Sequence, residues 1–272
     1  MISDRMIDAY FARIGFTGPR EPSLATLKAL HRLHPSAIAF ENIDVLMRQP
    51  ISLAPQAIAE KLVTGGRGGY CYEQNTLLLA VLRTLGFQAT SVGARILWNA
   101  PAGTTPARVH MLLLVDLPEG RYLSDVGFGR LTLGEPLRLA PDVAQPSPQG
   151  TYRLVRCGDE FQLQAALNSE WIAIYQLSLQ EQLPADWDVV HWHTSTHPSS
   201  IFTRSLMVSR SADAARYALL DRRLRIYDRS GLADQRVLAT ADELRTTLQD
   251  DFKLKLPDGC DDVLARALRG HE

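Results

Sequence analysis

Apolar residues recur every three or four positions through the first third of the chain and every second position through the middle. The helical period predicts a helix over 3–13, with Met6, Ile7, Tyr10, Phe11 and Ile14 on one side and Gly15 as its stop. A second helix is expected over 23–33, capped by Ser23, with Leu24, Leu27, Leu30 and Leu33 inward. A third is expected around 55–62, and a fourth over 73–85, where Leu77, Leu78, Val81, Leu82 and Leu85 form one stripe before Gly86. The period then falls to two. Strands are expected over 87–97, 109–117, 122–126, 137–139, 152–155, 161–165 and 171–174, with turns at Pro118-Glu119-Gly120, Gly158-Asp159 and Asn168-Ser169. Such a meander suits an antiparallel barrel or sandwich. The last part mixes a short helix over 184–193, strands over 202–208 and 224–227, a helix opened by the capping box Thr240-Ala241-Asp242-Glu243, and a helix over 261–268. The fold class expected is α+β: helical first, then antiparallel strands, then mixed α/β.

Composition narrows the function. The 272 residues are 46% hydrophobic and 22% charged, as in an ordinary globular protein with a sizeable core. The net charge is −1 and no Lys/Arg cluster follows one helix face, so nucleic acid is not an expected partner. No apolar run reaches the ~18–20 residues of a membrane span. The start, Met1-Ile2-Ser3-Asp4-Arg5-Met6, lacks a basic segment leading into an apolar one, so no secretory signal is expected. Cys71, Cys157 and Cys260 are odd in number and scattered, which argues against a disulfide framework and for the cytoplasm.

The chemistry points to Cys71. It stands where the glycine-rich run Thr64-Gly65-Gly66-Arg67-Gly68-Gly69 meets the fourth helix, at or just before its first turn. Unpaired N–H groups and the positive end of the helix dipole lie there, a setting that favours thiolate over thiol. The glycines let backbone or a substrate come close to the sulfur. A small buried hydrophobe is the alternative use of such a cysteine.

A thiol nucleophile needs a base and a group to orient it. Of the seven histidines, His31 and His34 fall on a short polar-faced helix and His271 is near the end, so these three read as surface residues. His110 opens the most apolar strand, Val109-His110-Met111-Leu112-Leu113-Leu114-Val115, where a buried ring needs a partner. Asp125 lies on the returning strand and faces the same side if the turn has two or four residues. That register leaves the two about four positions apart, so contact needs a bulge or a strongly coiled strand; Gly127 and Gly129 allow such a bend. Taken singly, His110 reads as a core histidine on a carbonyl and Asp125 as a turn residue; together with Cys71 they are the residue types of thiol acyl transfer. His191, His193 and His197 are spaced as imidazoles can be around Zn²⁺, but no carboxylate or thiolate adjoins them and Pro198 suggests a turn, so no metal is expected. Neither glycine run matches a phosphate loop or dinucleotide fingerprint.

Arg67-Gly68-Gly69-Tyr70-Cys71-Tyr72-Glu73-Gln74-Asn75 closely resembles the active-site segment of the arylamine N-acetyltransferases, R-G-G-[FYW]-C-x-E-x-N. The resemblance extends, in the family's order, to Tyr10–Gly15, Phe40–Asp44, Val109–Met111, Asp125–Gly129 and Ser195–Phe202. Gln74 stands where leucine is the commoner family residue, and a structural role is expected for it. The resemblance implies a helical bundle over 1–86, a β-barrel over 87–187 and an α/β lid over 188–272, on a core related to that of cysteine proteases. It implies a triad of Cys71, His110 and Asp125 and ping-pong transfer from acetyl-coenzyme A to an arylamine or hydrazine, with no tightly bound cofactor. It places Phe40, Phe128 and Phe202 around the acceptor and makes Arg67 and Glu41 a supporting ion pair. A papain- or transglutaminase-like cysteine hydrolase uses the same residue types and is the alternative enzyme; a binding module with a structural cysteine is the non-enzymatic one.

Overall fold

The computed structural model describes residues 2–270 apart from 102, 130, 168, 213–214 and 229–230. His271 and the Asn168 half of the expected Asn168-Ser169 turn therefore lie outside the described residues.

The first elements are α1 (Asp4–Ile14), α2 (Leu24–Ala37), β1 (Phe40–Glu41), α3 (Ile43–Leu46), α4 (Pro55–Ala59) and α5 (Cys71–Thr84). Ser3 caps α1 by accepting the Met6 N–H, and Gly15 ends it in the left-handed conformation at φ 72°. α4 runs into a single π turn, Glu60–Thr64, closed by Gly65 N donating to Glu60 O at 2.7 Å. The helix expected around 55–62 is thus two joined pieces, with one residue more than an α-helix would place there.

Eight strands follow: β2 (Gln88–Ile96), β3 (Arg108–Leu117), β4 (Gly120–Ser124), β5 (Leu137–Arg138), β6 (Gln145–Ser147), β7 (Gly150–Cys157), β8 (Glu160–Leu167) and β9 (Glu170–Glu181). Their order, β5-β4-β3-β2-β9-β8-β7-β6, makes an antiparallel sheet curled into a nearly closed barrel. At the seam the Gln145 amide accepts from Arg138 N and donates to Arg138 O, so a side chain stands in for ladder bonds between the edges. β3 is buried on both faces. Met111, Leu113 and Val115 join the core of the helices, while Leu112 and Leu114 join Leu154, Leu163 and Ile174 inside the barrel. That double burial is why the strand reads as an unbroken apolar run.

The chain ends with α6 (Pro184–Thr196), β10 (Met207–Ser211), β11 (Arg216–Leu220), β12 (Arg223–Asp228), β13 (Gly231–Val237), α7 (Ala241–Asp250) and α8 (Asp261–Arg269). β1 completes their sheet, Phe40 pairing with Ser209 and Glu41 with Val208. One face of that sheet, through Val208, Leu219 and Leu224, packs on Leu244, Leu248, Val263 and Leu264 of the last two helices. The strand expected over 202–208 is split. Ile201–Thr203 forms a 3₁₀ turn and the strand starts at Met207, because the Asn42 amide pins the Phe202 and Ser205 carbonyls at 2.8 and 2.9 Å.

His31 and His34 correct the surface reading given above: both are fully buried. α2 carries no solvent face at these positions because Tyr10 of α1 and Gln74 of α5 close over His34 and the Asp125 segment closes over His31. The His34 ring links the Tyr10 hydroxyl (2.8 Å) to the Gln74 amide oxygen (2.6 Å). Gln74 in turn donates to Ala39 O and Gly69 O, so the expected structural role of this glutamine is met by a fully paired buried network.

Candidate active site

Cys71 is the first residue of α5 and is 4% exposed. The turn before it is held on three sides. Gly69 O accepts Glu41 N and Gly69 N donates to Ala39 O, which fastens the turn to β1. A Cβ at Gly68 would lie 2.2 Å from Ala39 O, and one at Gly69 2.6 Å from the Glu73 carboxylate, so neither position has room for a side chain. The Glu73 carboxylate reaches back to accept Tyr70 N at 3.1 Å, half of a capping box. Arg67 meets Glu41 at 2.9 Å with side-chain exposures of 13% and 0%, so the expected ion pair is a buried one.

His110 and Asp125 meet at 2.7 Å between Nε2 and Oδ2, both buried. The hairpin turn has two residues, Leu117 pairing with Gly120 and Leu113 with Ser124, which sets Asp125 opposite Leu112. The register therefore leaves the pair two positions apart rather than four, and on the same face. A bulge does occur, but at Val109 rather than at the glycines: Ala94 pairs with His110 and Arg95 with Arg108. Bulges re-aim neighbouring side chains. The carbonyl of Val109 accepts the Tyr72 hydroxyl at 2.6 Å, tying the bulge to the residue after Cys71.

β4 ends at Ser124, so Asp125 leaves the ladder and its groups find other partners. Oδ1 accepts Gly127 N (2.9 Å) and Asn75 Nδ2 (3.1 Å), while Asp125 N donates to His31 Nε2 (3.2 Å). Asn75 also accepts Val126 N and donates to Met111 O. Its place one turn beyond Cys71 puts it on the same helix face, the signal by which the sequence exposes it. His31 had no such signal.

Burial alone would lower the His110 pKa. The Asp125 carboxylate, and after it the nearby Cys71, outweigh it and push the value up to about 10. Burial pulls the other way at Asp125, but His110, Gly127 N–H and Asn75 hold its carboxyl below the usual range. The pair is thus favoured as imidazolium and carboxylate.

A cavity of about 610 Å³ opens on the cysteine, lined by Phe40, Cys71, His110, Phe128, Phe202 and Met207 among others. The Phe128 ring stands edge-on to the His110 ring at 5.1 Å, and Phe40 and Phe202 lie 6.1 Å apart. The structure thus brings the three phenylalanines to one space. Among the described residues the lining contains no Asp or Glu and carries Arg223 and Arg225 from β12. The three histidines of α6 and its end do not converge. His191 turns in between Tyr70 and Tyr72, while His193 and His197 stack on each other at 4.5 Å.

Burial pushes both His31 and His34 down to about 4, opposite in direction to His110. Below pH 6.5 the unfolded chain binds two protons that the fold refuses, so stability falls as pH drops towards 4. Above pH 6.5 the folded chain keeps the His110 proton that the unfolded chain releases, so stability also falls as pH rises towards 10. At about 1.4 kcal/mol per proton per pH unit, the acid slope is up to twice the alkaline one. Urea unfolding across pH 4.5–9 is expected to peak near neutrality, and His34→Gln to flatten the acid limb.

A family model described as N-acetyltransferase matches residues 23–260. The arylamine N-acetyltransferase of Escherichia coli K12 is 38% identical over 255 residues, covering 93% of this chain and 90% of that protein. The solved structure of Mycobacterium marinum arylamine N-acetyltransferase in complex with CoA superposes with a TM-score of 0.92 at 39% identity, covering 97% of this chain and 98% of that one. The Salmonella typhimurium enzyme superposes with a TM-score of 0.93 at 33% identity over 100% of both.

Proposed function

Since the chain belongs to the arylamine N-acetyltransferase family, we propose that it moves the acetyl group of acetyl-coenzyme A to aromatic amines and arylhydrazines in two steps through acetyl-Cys71. It is an acyltransferase that takes acetyl-coenzyme A as donor substrate.

In the first step the Cys71 sulfur attacks the thioester carbonyl. The coenzyme A sulfur leaves and takes its proton from the His110 imidazolium. In the second, the acceptor nitrogen attacks acetyl-Cys71, neutral His110 takes the N–H proton, and the Cys71 thiolate departs, which restores the starting ion pair. Asp125 holds the imidazole in one tautomer and stabilises its cationic form. An arylamine is mostly neutral at pH 7 and attacks without first losing a proton. Phe40, Phe128 and Phe202 stack against its ring. The observation that supports this reading is the 2.7 Å His110–Asp125 pair, buried together with Cys71 where both Cys71 and His110 line an aromatic cavity.

We assign the nucleophile to the helical part, 1–86, the base and its carboxylate to the barrel, 87–187, and the cover of the acceptor space to 188–272. Among the described residues no helix is long and apolar enough to cross a membrane. A thiol nucleophile that must stay reduced suits the cytoplasm.

The test is intact-mass analysis of the full chain with acetyl-coenzyme A and no acceptor. One added acetyl group, mapped to the peptide of Cys71 and discharged by an aniline or a phenylhydrazine, is expected, with parallel double-reciprocal plots. Intersecting plots without an adduct, or peptide cleavage in place of acetylation, would overturn the two-step reading.

A further inference from the structure

We propose that Lys61 is a positioning residue for the nucleophile, acting through Glu73 on the first turn of α5; the inference rests on the reading of Cys71 given above. Lys61 lies in the π turn Glu60–Thr64, and π turns inside helices recur at functional sites. Its side chain is only 17% exposed, and Nζ meets Glu73 Oε1 and Asp44 Oδ2, each at 2.7 Å. Asp44 continues to Arg67 at 2.7 Å, and Arg67 to Glu41 at 2.9 Å. Three carboxylates thus share two cations directly behind the nucleophile's turn. Arg67 serves Glu41 and Asp44, and Lys61 is the cation that meets Glu73.

Glu73 is the member that touches the nucleophile's turn. It stands two residues after Cys71 and is 2% exposed on its side chain. One carboxylate oxygen holds Tyr70 N, and the carboxylate fills the space that glycine leaves at position 69. A carboxylate in a first turn gains from the helix dipole, but a buried one also needs a counter-charge. Without Lys61 it has two courses. If it stays ionised, an unpaired negative charge is buried in the same first turn as the sulfur that must itself become negative, and like charges oppose each other in a low-dielectric site. If it takes up a proton, its bond to Tyr70 N weakens and the turn that aims Cys71 loosens. Either course slows the thiol. A purely structural ion pair would change stability and leave the reactivity of the sulfur as it was.

Alkylation of Cys71 by iodoacetamide at pH 7 reads this directly and requires no acetyl donor, so it is independent of the acetyl-adduct test of the proposed function. The rate is measured for the parent, Lys61→Met, Lys61→Arg, Glu73→Gln and Lys61→Met/Glu73→Gln, together with kcat/KM for acetyl-coenzyme A, KM for an aniline and the melting temperature. Lys61→Met is expected to lose about ten- to thirty-fold in alkylation rate and in kcat/KM, with KM for the aniline within about twofold. Lys61→Arg, which keeps the charge, is expected to stay within about threefold of the parent. The double variant leaves neither partner unpaired and is expected to recover most of the loss. The proposal is overturned if Lys61→Met alkylates within twofold of the parent whatever its melting temperature, or if the double variant is no faster than Lys61→Met. Should Lys61→Met fail to fold, the double variant is compared with Glu73→Gln. Equal rates support action through Glu73, and a double variant tenfold slower overturns it.

Discussion

Replacing Asp125 by asparagine is expected to lower kcat for acetyl transfer about 10⁴-fold, the scale of the same change in a serine-protease triad, with the protein still folded. The carboxylate accepts from three donors: His110 Nε2 on one oxygen, Gly127 N and the Asn75 amide on the other. Asparagine has one acceptor oxygen for these three. If that oxygen stays with Gly127 and Asn75, the new NH₂ points at His110 Nε2 and forces the ring proton to the side facing Cys71. If the amide flips, its NH₂ meets two donors head-on. The first arrangement costs fewer bonds and gives the wrong tautomer for accepting a proton. The substitution also removes the negative charge that pushes the His110 pKa up to about 10. Steady-state kinetics at pH 7 beside a melting curve checks this. A kcat within tenfold of the parent in a folded protein would remove Asp125 from the mechanism.

The second large effect is expected at Gly127. An added Cβ there would lie 2.6 Å from Asn75 Nδ2, 2.9 Å from Cys71 Cα and 3.0 Å from Cys71 O. Its φ is one that any residue adopts, so the demand is for space alone. Two of the three obstacles are backbone at the start of α5, which cannot rotate away as a side chain can. Gly127→Ala must therefore push the Asp125–Gly127 segment off the helix that bears the nucleophile. A shift of about 1 Å in a reacting geometry costs on the order of 10²-fold in rate, and overpacking of this kind destabilises by about 1–3 kcal/mol. Both are expected together, in kcat and in urea unfolding, while the Phe40–Phe202 side of the cavity is left alone. A variant with the parental kcat would show that the contact between this segment and the helix is dispensable.

Much of the molecule was legible in the chain because its signals are local. Helix periods, the caps at Ser23 and Thr240 and the stop at Gly15 involve neighbours within one turn, so pattern alone locates those elements. The cysteine's place at a helix start is likewise local. β11 and β13 were not legible: Gly231–Val237 is exposed along its length and carries no alternating apolar face. The short β1 exists only because β10 is there to pair with it.

What the amino-acid order determined by itself is the set of candidate reacting groups and the elements that carry them: a thiol at the mouth of an apolar helix, an imidazole on the most apolar strand, a carboxylate just past the next one. Tertiary structure alone decided how they meet. The bulge at Val109 and the imidazole of His31 under Asp125 depend on pairings between residues far apart in sequence. The same is true of the charges behind the nucleophile, where Asp44, Lys61, Arg67 and Glu73 come from four separate turns of chain. Each carries an ordinary surface residue type, and His31 and His34 sit on a helix with a polar pattern. Whether such a group is solvated or buried is set by what packs over it, and that information lies outside any local window.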